Sequence, residues 1–143
     1  MSAEPPITPI DLVLDTAASP ADAWTAITDP IEIARWFTDA SPLGEPGAAY
    51  RLDFGGGSVV LGVVTDLVPG ARFAHTWAWA DGDGDEDGAT LVTWTVDPLA
   101  DGGARIHLVH DGWGDAGGAT ARDDHEGYWA GYLEDLRHLL GGS

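Results

Sequence analysis

Arg72-Phe73-Ala74-His75-Thr76-Trp77-Ala78-Trp79 alternates large rings with small side chains, residue by residue. Side chains along a strand point to opposite faces in turn, so Phe73, His75, Trp77 and Trp79 share one face and Ala74, Thr76 and Ala78 the other. A strand built this way forms part of an interior wall, and its neighbours in the sequence repeat the period. Val92, Trp94 and Val96 fall on one face of Thr90–Asp97; Ile106, Leu108 and His110 fall on one face of Ala104–Asp111. Upstream, Ala48–Phe54 contributes Tyr50, Leu52 and Phe54, and Ser58–Val68 is a longer strand. Gly55-Gly56-Gly57, Pro69-Gly70, the acidic stretch Asp81–Gly88 and Pro98–Gly103 separate these runs. Short strands with turn signals between them predict an antiparallel meander.

Outside the meander the period changes. Ile10-Asp11-Leu12-Val13-Leu14 reads as a first strand with Ile10, Leu12 and Leu14 inward. Two short helices follow, each opened by a cap, a proline and an acid: Ser19-Pro20-Ala21-Asp22 and Asp29-Pro30-Ile31-Glu32. Trp24 and Ile27 would bury one side of the first helix; Ile33, Trp36 and Phe37 would bury one side of the second. Asp39–Gly47 is read as a loop. A final helix opens at Thr120 and runs to about Leu140, stopping at Gly141-Gly142. Its Trp129, Leu133, Leu136 and Leu140 form a single apolar stripe flanked by Tyr128 and Tyr132. At about 1.5 Å per residue such a helix spans roughly 30 Å, enough to cross a sheet. The fold class is therefore α+β: a curved antiparallel sheet of about six strands around a long C-terminal helix, with two short helices between strands 1 and 2. Residues 1–9 read as a disordered segment and 10–141 as one domain.

Composition narrows the function classes. The 143 residues carry 24 acidic side chains against six arginines and no lysine, a formal net charge of −18. Such a surface repels phosphate backbones and anionic head groups, so neither nucleic acid nor a membrane is expected as a partner. There is no cysteine and no stretch approaching the ~20 apolar residues of a membrane span, and a cytoplasmic location is expected. Seven tryptophans make ring placement the most informative clue.

Several local patterns carry a resemblance. They are Ala18-Ser19-Pro20-Ala21-Asp22-Ala23-Trp24, Thr28-Asp29-Pro30 through Arg35-Trp36-Phe37, and Pro46-Gly47-Ala48-Ala49-Tyr50-Arg51. With them go Gly62-Val63-Val64 to Pro69, Phe73-Ala74-His75-Thr76-Trp77, Val92-Thr93-Trp94, Gly103–Gly112, and Tyr128-Trp129 with Leu133, Leu136 and Leu140. In this order, over about Ile10 to Leu140, they resemble the START-like (SRPBCC) helix-grip superfamily, and more narrowly the bacterial homologues of the activator of heat-shock-protein-ninety ATPase. The resemblance implies a fold that encloses lipids, polyketides or aromatic metabolites, with a minority of its members catalysing cyclisation or dehydration.

The inward faces then compose a candidate ligand site of Trp36, Tyr50, His75, Trp77, Trp94, His110, Trp113 and Trp129, the rings as walls and the two histidines as polar anchors. An apolar enclosure with sparse polar groups suits a small hydrophobic or aromatic molecule. The same residues also suit a filled core, with each histidine bonded to a backbone carbonyl or carboxylate. His107 faces away, and Arg51 and Arg105 lie on the outer face as solvated ion pairs. Trp113, between two glycines, gates the mouth or lies on the surface. No catalytic residue, cofactor or metal is assigned. Asp83-Gly84-Asp85-Glu86-Asp87-Gly88 has the first half of an EF-hand loop, but its twelfth position is Trp94 and strands flank it. His107 and His110 project to opposite faces, and His125 lacks a second ligand at i+3 or i+4. Two alternatives stand beside ligand binding: acid–base catalysis of cyclase or dehydratase type on the same ligand, and a co-chaperone-like interaction.

Overall fold

Two proline-initiated helices carry the chain from one edge of a sheet to the other. In the computed structural model, which describes residues 9–40, 46–53, 59–79, 90–112 and 118–140, strand β1 (Ile10–Thr16) is followed by α1 (Pro20–Thr28) and α2 (Pro30–Trp36). Then come β2 (Asp39–Ala40), β3 (Ala49–Asp53), β4 (Val59–Val68), β5 (Arg72–Trp79), β6 (Thr90–Pro98), β7 (Ala104–Asp111) and the 22-residue α3 (Gly118–Leu139). All pairings are antiparallel, in the order β1-β7-β6-β5-β4-β3-β2. The meander explains every neighbour except β1, which pairs along its full length with the last strand, Ile10 opposite His110 and Thr16 opposite Ala104.

The caps read from the sequence are made. Ser19 Oγ accepts from the Asp22 amide at 3.1 Å, and Asp29 Oδ1 accepts from the Ile31 amide at 2.9 Å. Each satisfies a backbone donor that a helix start leaves without a partner. The Trp36 indole donates to the Ala26 carbonyl at 2.7 Å and locks α2 onto α1. At the far end Thr16 Oγ1 donates to the Leu140 carbonyl at 3.3 Å, tying the end of α3 to β1.

The core lies on one sheet face, where Ile10, Leu14, Tyr50, Leu52, Val60, Phe73, Trp77, Val92, Trp94, Ile106 and Leu108 meet Trp129, Leu133 and Leu136 of α3. The opposite face carries the charge. Arg105 holds Asp15 through two hydrogen bonds of 2.7 and 3.0 Å, His107 Nε2 lies 2.6 Å from Asp11, and Arg72 reaches Asp66 at 2.8 Å.

Several details differ from the expected elements. The stretch read as a loop from Asp39 to Gly47 begins with β2, whose two residues pair with Asp53 and Leu52 and add a seventh strand at the edge. A register shift between Val64 and Asp66 bulges β4, a kink that alternation alone does not announce. In α1 the fully buried residues are Ala23, Ala26 and Ile27, while Trp24 is half-buried with its edge on Phe73 at 5.6 Å. Helix α3 starts two residues before Thr120, and its buried stripe extends one turn N-terminal of Trp129 to His125. Tyr128 is exposed and Tyr132 half-buried. Five readings fall outside the described residues: the segment 1–8, Phe54 with the three glycines after it, the acidic loop 81–88, Trp113, and Gly141-Gly142; so does the Trp79 side chain. Among the described residues no helix is long and apolar enough to cross a membrane, and no group of three or more His, Asp or Glu could hold a metal.

Candidate functional site

His75, at the middle of β5, is hydrogen-bonded on one side to β6 and on the other, across β4, to β3. The Trp94 indole Nε1–H on β6 donates to His75 Nε2 at 3.3 Å. His75 Nδ1 lies 2.8 Å from the Tyr50 hydroxyl on β3 and 3.3 Å from the Thr76 carbonyl. The Tyr50 hydroxyl in turn donates to that same carbonyl. An indole nitrogen only donates, so Nε2 is an acceptor and the proton sits on Nδ1. Donation therefore runs one way, from Trp94 through His75 and Tyr50 to the backbone of β5. Burial pushes the His75 imidazole down to about 4 and raises the Tyr50 phenol above its ordinary range, so both groups are neutral at pH 7. Tyr50 reaches across β4 because its partner there is Gly62: a Cβ on Gly62 would collide with the Tyr50 ring and with the Thr76 carbonyl oxygen.

A second chain of the same kind runs beside it with the opposite tautomer. Trp129 Nε1–H of α3 donates to His110 Nδ1 at 3.0 Å. His110 Nε2 lies 2.5 Å from Thr90 Oγ1, which donates to the Trp77 carbonyl at 3.3 Å. Here the proton belongs on Nε2. Burial pushes His110 down to about 3, and the nearby imidazoles of His125 and His75 add to the effect. The two chains end on consecutive carbonyls of β5, those of Thr76 and Trp77.

Between the sheet, α2 and α3 a cavity of about 30 Å³ remains. It is lined by Ile27, Ile33, Trp36, Phe37, Ala40, Tyr50, Leu52, Phe73, His75, Trp94 and Trp129. A water needs roughly 10–15 Å³ by the same measure, so the space admits a water or two and not an aromatic ring. Of the residues expected to form the site, Trp36, Tyr50, His75, Trp94 and Trp129 come together on this wall. Trp77 and His110 stand behind it: Trp77 packs on Trp129 at 5.2 Å and His110 lies edge-on to Trp129 at 6.1 Å. Trp113 lies outside the described residues.

One wall of the space is Phe37, read from the sequence only as part of the buried side of α2. It is the C-cap of α2, with φ −122° and ψ −85°, and is half-buried. Its ring lies parallel to Trp36 at 5.0 Å and to Trp77 at 6.3 Å, tilts against Trp129 at 5.2 Å and meets Tyr132 edge-on at 4.7 Å. Thr90 and His125 were also missed as interior polar groups; His125 precedes Trp129 by four residues, a spacing that places it on the same helix face.

Comparison with known proteins places this architecture. The family model described as activator of Hsp90 ATPase homolog 1-like protein, AHSA1, matches residues 17–141. The chain belongs to the AHSA1 family. A sheet gripping one long C-terminal helix is the START-like, helix-grip arrangement that the sequence resemblance implies. Among solved structures the AHSA1 chain is similar to a protein of Mesorhizobium loti, at 23% identity over 91% of this chain and 96% of that one, TM-score 0.79. It is similar to the Aha1 dimer of Colwellia psychrerythraea at 24% identity, over 95% and 98% of the two chains, TM-score 0.77. It is also similar to DynU16, of the dynemicin biosynthetic locus, at 24% identity over 94% of this chain, TM-score 0.78, but spans only 48% of DynU16. Identities this low establish the fold. No curated protein sequence matches.

In this AHSA1 chain the polar wall of the cavity is uncharged. None of the six arginines lines it: Arg35, Arg51, Arg72, Arg105 and Arg137 are 45% exposed or more, and Arg122, 18% exposed, is paired with Asp123 and Glu126. Among the described residues, what the cavity wall offers a guest is apolar and aromatic surface, one imidazole and one phenol.

Proposed function

We propose that this protein binds a small hydrophobic, aromatic molecule between the sheet and α3, in the slot that the Phe37 ring occupies. The observation carrying the reading is the setting of that ring. Four aromatic neighbours from three elements surround it face-on and edge-on, at the separations by which such groups hold an aromatic guest. Phe37 follows the last turn of α2, so its side chain can leave by rotation without unwinding a helix. Turned outward, it exposes a slot continuous with the existing cavity, whose walls are apolar apart from His75, Tyr50 and the indole nitrogens. Apolar area supplies affinity and those few groups fix orientation.

The test is a titration of naphthalene into the wild type and Phe37→Ala, followed by tryptophan emission. Truncating a ring in a packed core leaves an apolar void that takes up aromatic guests. Phe37→Ala is expected to bind at least tenfold more tightly than the wild type, which must displace its own ring first. Equal, undetectable binding by both folded proteins would refute the reading. Chromatography of the recovered guest separates binding from the acid–base alternative, for which Tyr50 and His75 are the titratable groups on the wall among the described residues.

A further inference from the structure

Two indole–imidazole hydrogen bonds cross the interior, and they differ in a way that bears on recognition. The Trp129–His110 bond is 3.0 Å long, and His110 does not line the cavity. The Trp94–His75 bond is longer, at 3.3 Å, and both partners line the cavity. Resting on the ligand reading above, we propose that the guest is a neutral aromatic molecule carrying a hydroxyl group, and that this hydroxyl inserts between Trp94 and His75.

The argument concerns what can be inserted without loss. Trp94 Nε1–H needs an acceptor. His75 Nε2 needs a donor, because Nδ1 carries the ring proton toward Tyr50 and Thr76. A hydroxyl accepts from the first and donates to the second, so both remain satisfied. An ether or ketone oxygen satisfies the indole and strands the imidazole, and a buried polar group left without a partner is costly. A carboxylate brings a charge as well. No arginine lines the cavity among the described residues, the one that is largely buried, Arg122, is paired with Asp123 and Glu126, and the molecule carries a net charge of −18, so no cation on the cavity wall compensates an anionic head. Two hydrogen bonds of about 2.9 Å meeting at one oxygen span roughly 4.7 Å, so the two nitrogens, now 3.3 Å apart, must part by about 1.4 Å. Tyr50 keeps the tautomer fixed while this happens, and Gly62 makes room for Tyr50.

Calorimetric titration at pH 7 with 2-naphthol, 2-methoxynaphthalene and 2-naphthoate tests this. Methylation makes the ring system more apolar, so burial alone favours the ether; the proposal reverses that order. The naphthol is expected to bind at least tenfold more tightly than the ether and at least a hundredfold more tightly than the carboxylate. In His75→Phe the preference for naphthol over ether should collapse to twofold or less, and Trp94→Phe provides the same comparison if the first variant does not fold. Equal binding of naphthol and ether, or tighter binding of the carboxylate, overturns the hydroxyl site while leaving the aromatic slot standing. Absence of binding by all three and by naphthalene overturns both.

Discussion

The Trp94 indole ends on His75 Nε2, one strand away, and thereby fixes which nitrogen of that imidazole carries the proton. Trp129 does the converse at His110 Nδ1. Two neutral histidines in one core are thus held as opposite tautomers. The ¹⁵N shifts of the imidazoles report this directly: His75 is expected as the Nδ1–H form and His110 as the Nε2–H form, with no change between pH 8 and pH 6. The same tautomer at both would mean that the indoles are not the donors.

Acid should weaken the fold before the carboxylates titrate. Unfolded histidines take up a proton near pH 6.5, whereas His75 in the native state waits until about 4 and His110 until about 3. Between those limits the unfolded state binds more protons, so stability rises with pH there: it is intact above about 6.5 and declines as pH falls toward 4. The decline approaches roughly 1.4 kcal/mol per pH unit for each histidine. Urea unfolding at pH 7.5, 6 and 5 measures it, and His75→Phe should roughly halve the slope. A midpoint independent of pH over this range would contradict neutral burial of both rings.

Thr90→Val keeps the shape of the side chain and deletes its hydroxyl. His110 Nε2–H then loses the acceptor that stands 2.5 Å away. A buried donor stripped of its partner costs about 1–3 kcal/mol, to be read from urea midpoints at pH 7.5. A loss below about 0.5 kcal/mol would indicate that His110 does not depend on this chain.

Gly62→Ala places a methyl group against the Tyr50 ring and the Thr76 carbonyl at once. The strand or the ring must shift, with a cost of about 1–3 kcal/mol by analogy with overpacked cores. Because Tyr50 orients His75, the variant should also lose the naphthol-over-ether preference. Retention of both stability and preference would contradict the placement of Tyr50.

Salt should stabilise the protein. Self-repulsion at a net charge of −18 exceeds what a few half-exposed ion pairs such as Arg72–Asp66 return. Raising sodium chloride from 20 to 500 mM is expected to raise the urea midpoint, and a lower midpoint would show that the surface pairs dominate.

Much of this architecture was legible because alternation and capping are local. The aromatic face of β5, the caps at Ser19 and Asp29, and the outward placement of Arg51, Arg105 and His107 all follow from period and spacing. The two-residue β2 carries too short a pattern to register, and the β4 bulge follows from pairing partners rather than composition. The interior chains were illegible for another reason: each joins residues from three or four elements, and a tautomer is decided by the partner across the gap. Thr90 opens a strand and carries no interior signal of its own, whereas the spacing of His125 from Trp129 does place it inside. Phe37 was read as core. Its position in the slot depends on where α2 ends relative to α3.

The most direct measurement uses the seven indole N–H signals in a ¹H–¹⁵N spectrum, recorded as 2-naphthol is added. The account predicts that Trp94, Trp36 and Trp129 move together and saturate, Trp94 most of all, while Trp24, which does not line the cavity, moves least. Unchanged spectra, or small shifts spread evenly over all the indoles, would contradict a binding site between the sheet and α3.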